Sequence, residues 1–114
     1  MLKITPKTLI KIVVEGFIPG DLDEQTAFDF VATWDVVSSS QQEKILDGKK
    51  ETKQVLLDHL KDLEGVSDEA GKPIKFSADL IDTLYEIIPV RNALIRSFHA
   101  CQTVEGRKAL KAKN

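Results

Sequence analysis

The sequence predicts an α+β fold: a small antiparallel β-sheet, opened by an N-terminal hairpin, packed with three to four α-helices. Three observations predict it. Residues 8–36 carry a β-branched run followed by strict alternation of apolar and polar side chains. Beyond residue 38 the apolar period changes to that of a helix, about 3.6 residues. The chain has 114 residues, 42% of them hydrophobic and 30% charged, which is one domain's worth of sequence with enough apolar side chains to form a core.

The elements follow in order. Residues 8–14 place Ile10, Ile12 and Val14 on one face of a strand and Lys11 on the other. Residues 16–25, with two Gly, one Pro and the acids Asp21, Asp23 and Glu24, read as a loop. Residues 28–36 alternate Phe28, Phe30, Ala32, Trp34 and Val36 against Asp29, Thr33 and Asp35. This is a half-buried strand, expected to pair antiparallel with the first. Its aromatic stripe reads most simply as core.

Ser40 and Glu43 have capping-box spacing, which predicts a short helix over 41–47 ending near Gly48. Residues 50–63 predict a second helix through Val55, Leu56, Leu60 and Leu63; Gly48 either breaks the two or bends one longer helix. Residues 65–76 read as a hairpin-like excursion around an acidic turn closed by Gly71. Ser77 is the expected cap of the next helix, with Asp79 in its first turn and a stripe of Leu80, Ile81, Leu84, Ile87 and Ile88. Pro89 predicts an end or kink near Ile87. Residues 90–102 form the last helix, with Leu94, Ile95, Phe98 and Cys101 on one side. The whole chain is then a single domain: a β-rich part at 8–36, a helical part at 38–102, and a basic end at 103–114 that extends the helix or frays.

Function classes fall away in turn. Sixteen Lys and Arg against eighteen Asp and Glu give a net charge of -2, which argues against a nucleic-acid binder. A lone Cys101 forms no internal disulfide, and no Cys or His pair has zinc-ligand spacing. No apolar run is long enough to span a membrane, so the expected location is a reducing cytoplasm. Cys101 reads as a small core residue that points to a different helix face from His99, and His59 as a surface or boundary imidazole. The acids at 21–24 lack the ligand order of a calcium loop. The expectation is a protein with no cofactor and no metal that is not an enzyme.

What remains is a binding surface. The helices meeting at Pro89 can frame an apolar groove for a partner helix, with Leu84, Ile88, Leu94 and Phe98 as candidate lining residues. Arg107, Lys108 and Lys111 add a candidate basic docking arm.

An order of features then resembles the tail assembly chaperones of long-tailed bacteriophages and prophages. A helix ends in Leu60-Lys61-Asp62-Leu63-Glu64-Gly65-Val66, and an acidic turn from Ser67 to Ile74 leads into Phe76-Ser77. A Leu/Ile-rich helix is interrupted before Pro89-Val90-Arg91, a further helix carries Phe98, and a basic run closes on Lys113-Asn114. Two positions depart from the pattern: Glu64 and His99 stand where many members have aromatic residues. The resemblance implies a non-enzymatic assembly factor. It would bind and solubilise the tape-measure protein, help recruit the tail-tube protein, and be absent from the finished virion. It leaves room for self-association and for a rival reading, a structural tail component (a joining or completion protein) retained in the particle.

Overall fold

The computed structural model describes residue 2, residues 9–48 and residues 50–103. Among the described residues the fold is α+β: a three-stranded antiparallel sheet in the order β1-β2-β3, with four helices. Strands β1 (Leu9–Pro19) and β2 (Gln25–Asp35) form the N-terminal hairpin. Helices α1 (Ser39–Leu46) and α2 (Thr52–His59) follow, then strand β3 (Leu60–Glu64) and helices α3 (Ala78–Tyr85) and α4 (Ile88–Cys101).

The hairpin is longer than the alternation suggests. Residues 16–19 continue β1 despite Gly16 and Pro19, which shortens the loop to 20–24. Gly16 pairs with Phe28, whose ring lies across it; a Cβ there would sit 2.6 Å from the ring's Cζ. The glycine marks a close approach within a strand, not a break in it. The turn closes through the Gly20 N–H donating to the Glu24 carbonyl at 2.8 Å, with Leu22 at φ 54°. Register puts Ile10 opposite Trp34, Ile12 opposite Ala32 and Val14 opposite Phe30, so the alternating apolar residues of both strands share the inner face.

Two helical expectations are corrected. The cap of α1 is Ser38, not Ser40, and its box partner is Gln41, not Glu43. The Ser38 hydroxyl accepts the Gln41 N–H while the Gln41 side chain accepts the Ser38 N–H, so the helix starts earlier with the same chemistry. The helix expected to run to Leu63 stops at His59, and Leu60–Glu64 pairs with β2 instead. Gly48, at φ 73°, separates α1 from α2.

Pro89 begins an element where an ending was expected. It lies in the first turn of α4, where a missing N–H costs no helical hydrogen bond. Helix α3 is capped by Ser77, whose hydroxyl accepts the Leu80 N–H at 3.1 Å. The excursion before it closes by a bridge between Ser67 and Pro73, with the Asp68 carboxylate accepting the Ala70 and Lys72 N–H groups.

The core lies between the inner sheet face and the helices. Trp34, Phe98, Leu56, Leu94, Ala32 and Cys101 are fully buried. Phe98 meets the edge of Trp34 at 5.1 Å between ring centroids. The indole Nε1–H donates to Ser97 Oγ at 3.0 Å, and that hydroxyl donates onward to the Leu94 carbonyl at 2.7 Å. A buried polar atom is thereby satisfied without leaving the apolar layer. The Gln102 side chain accepts the Val37 N–H and donates to the Asp35 carbonyl, fastening the end of α4 to the end of β2.

Candidate functional site

Leu84, Leu94 and Phe98 do not line an open groove. Leu84 is 7% exposed and the other two are 0% exposed, all three packed in the core beneath α3 and α4. Of the four expected groove residues only Ile88 is exposed, at 57%. The helical stripe was apolar because the sheet covers it on α4 and helix α2 covers it on α3, and this corrects the groove expectation. Arg107, Lys108 and Lys111 lie outside the described residues.

Exposed apolar side chains at Val36, Leu46, Leu57, Ile74 and Ile88 are scattered, whereas the hairpin carries a group of them. The outer face of β1 carries Leu9, Val13 and Phe17, at 56%, 43% and 59% exposure, alternating with Lys11 and Glu15. Val13 stands opposite Val31 and Phe17 opposite Ala27 on β2. Ile18 and a fully exposed Leu22 extend the apolar surface to the tip. Strand β3 ends with Glu64 opposite Val31, so residues 25–30 of β2 pair with no strand but β1, although Phe30 is still buried in the core. Two shallow hollows border this arm. One, of about 320 Å³, is lined by residues that include Phe17, Ala27 and Phe28; the other, of about 390 Å³, includes Val13, Val31 and Gly65. Lys11 and Glu64, 3.1 Å apart, cross the outer face at its base.

The sequence gives no hint of a second feature. His59 is 4% exposed, not a surface imidazole. Its Nδ1 lies 2.9 Å from Asp35 Oδ1 and its Nε2 lies 3.2 Å from the Lys50 ammonium. An ammonium can only donate, so Nε2 accepts and Nδ1–H donates to the carboxylate; the neighbours fix the tautomer. Lys50 is also ion-paired with Asp58 at 2.6 Å, and that contact holds the Asp58 carboxyl below the usual carboxylate range. The imidazole stacks on Phe98 at 5.7 Å. This network joins the ends of β2 and α2 to the segment before α2. It has the base and orienting acid of a catalytic triad, but the residues it assembles include no nucleophile. Cys101 is buried, its thiol donating to the Phe98 carbonyl at 3.0 Å.

His99 is half-buried and meets Phe98 edge-on, and burial holds its pKa below the ordinary histidine value. The folded state therefore resists protonation while the unfolded chain accepts it. Stability is full above the unfolded pKa, about 6.5, and falls as the pH drops through that value toward the lower folded one. A His99→Gln variant should lack this loss, so its denaturation midpoint gains on the parent's as pH is lowered from 8 to 5 (about the range in which histidine titrates). A midpoint difference that stays constant with pH would refute the assignment.

Among the described residues no cluster of three or more His, Cys, Asp or Glu could hold a metal ion, and no helix is long and apolar enough to cross a membrane. The chain matches no protein-family model, no curated protein and no solved structure.

Proposed function

We propose that this protein is a phage or prophage tail assembly chaperone, a binding protein that covers apolar stripes of the tape-measure protein and helps bring tail-tube subunits to it. The observation that supports the reading is the hairpin arm, which presents Phe17, Ile18 and Leu22 to solvent beyond the end of β3, with Val13 exposed level with its last residue. Exposed apolar side chains gathered on one projecting element suit a partner surface better than isolated exposure would. A long helical client offers a complementary apolar stripe. The order of sequence features that resembles the chaperone family supports the same reading. The contact surface moves from the helical groove to the hairpin because three of the four groove residues are core.

The test is co-expression with the tape-measure protein of the same genome, scoring how much client stays soluble and co-purifies. Phe17→Asp combined with Leu22→Asp should abolish co-purification while leaving the fluorescence of the buried Trp34 unchanged. Undiminished co-purification would rule out the arm as the client surface. Finding the protein at stoichiometric copy number in purified virions would favour a retained structural component.

A further inference from the structure

Strand β1 forms one edge of the sheet, and among the described residues no strand lies on its other side. At 11 residues it is a long edge, and an unpaired edge is a template for another strand. Its hydrogen-bonding parity follows from the turn. The Gly20 N–H donates to the Glu24 carbonyl, and the pairs of β1 with β2 continue that register without a shift. Alternate pairs of an antiparallel ladder are hydrogen-bonded, so the even-numbered residues of β1 direct their backbone groups to β2. The N–H and carbonyl groups of Leu9, Lys11, Val13, Glu15 and Phe17 then point outward from the edge. Two details agree with this parity. Pro19, which has no N–H, falls at an outward position where the ladder with β2 loses nothing. The Glu15 carbonyl, also outward, accepts from a side chain, that of Arg96, at 3.4 Å.

We propose that β1 pairs antiparallel with β1 of a second copy of this chain, about a two-fold axis at Val13. The strand's own sequence selects this occupant. Its outward residues also carry their side chains on the exposed outer face, in the order Leu9, Lys11, Val13, Glu15, Phe17. Centred on Val13, that order is its own complement. Lys11 stands opposite the copy's Glu15, Glu15 opposite the copy's Lys11, Leu9 opposite the copy's Phe17, and Val13 opposite its equivalent. Moving the centre one residue either way sets each charge against an apolar side chain. Moving it two sets lysine against lysine or glutamate against glutamate. Opposite charges across a strand pair attract and like charges repel, so charge complementarity fixes both the partner and the register. The present contacts of these groups yield easily. Lys11–Glu64 is an exposed pair of the weak surface class, and the Glu15 carbonyl has a second lone pair beside the one facing Arg96. The contact is isologous and closes at two copies. It doubles the three-stranded sheet and leaves its outer face open. It involves the edge of β1 and needs no client, so it stands apart from the proposed function.

Sedimentation equilibrium of the purified full chain, over a concentration series at low salt, reads the mass. The parent, 12.7 kDa as one chain, should approach twice that value. Lys11→Glu and Glu15→Lys should each weaken association by about tenfold or more, because both symmetry-related pairs become like-charged. Mixing these two variants should restore association, since every facing pair again holds opposite charges. The double swap, Lys11→Glu with Glu15→Lys, should associate as the parent does and keeps the parent's net charge. Both positions are exposed, so the fluorescence of the buried Trp34 should be unchanged throughout. A charge-matched control on another surface, Lys72→Glu, should also associate as the parent does. The proposal is overturned if the control loses as much association as Lys11→Glu, or if the double swap fails to restore it. A parent that stays monomeric overturns it too, and leaves the edge to a strand of another protein.

Discussion

Replacing Phe98 with Ala should cost about 3–5 kcal/mol of stability, the range for removing a fully buried aromatic side chain. Phe98 has no solvent-exposed surface, and three rings rest on it: Trp34 at 5.1 Å, His99 at 5.3 Å and His59 at 5.7 Å. A void there removes the packing surface of an indole whose Nε1–H is fixed to Ser97, so Trp34 cannot turn to fill it without abandoning a buried hydrogen bond. Against a total of roughly 5–15 kcal/mol for a domain, the loss takes a large part of the margin. Urea denaturation followed by Trp34 fluorescence measures it. Ile88→Ala is the matched comparison: Ile88 is exposed at the start of α4 and should change stability by no more than about 0.5 kcal/mol. Equal losses at the two positions would mean that α4 is not seated as described.

Asp35→Ala should cost about 2–3 kcal/mol, for a different reason. The carboxylate accepts from His59, and the Lys61 ammonium lies 3.8 Å away. Hydrogen bonds to a charged group contribute about 1.5–3 kcal/mol, and leaving a buried donor unmatched costs a similar amount. His59 is too buried for water to replace the carboxylate freely. A double-mutant cycle of Asp35→Ala with His59→Ala should return a coupling of about 1 kcal/mol or more, as expected for residues in one network. Lys61→Met should be nearly neutral, because its partly exposed, longer contact belongs to the weak surface class. Additive single losses would remove the network as an explanation.

The hairpin was legible in the sequence because a period of two has one meaning when it runs as long as residues 28–36. The third strand was not, and the bulge explains why. Leu63 pairs with Ala32 and Asp62 with Thr33, but Trp34 pairs with Leu60, so one residue of β3 is left over. That extra residue lets Leu60 and Leu63 both face the core. An apolar pair three apart, following Val55 and Leu56, is what a helix would show. The caps were legible within two residues, since Ser-rich stretches offer several equivalent starts. His59 and Asp35, 24 positions apart, carry no shared local pattern. The groove failed for a related reason: periodicity shows that a helix face is apolar, not what covers it.

The early end of β3 divides one pair of strands into two mechanical regimes. At the base, β2 is flanked on both sides and its Trp34 is locked beneath α4. Further out, residues 25–27 pair with β1 alone and are exposed, so separating the strands there breaks no contact with β3 and leaves the Trp34–Phe98 pair in place. Such a segment opens at a free energy well below that of global unfolding. A partner that seizes the arm can bend, splay or restrand it against that smaller resistance. How far the arm can yield is set by where one five-residue strand stops, and the rigidity of the body is untouched.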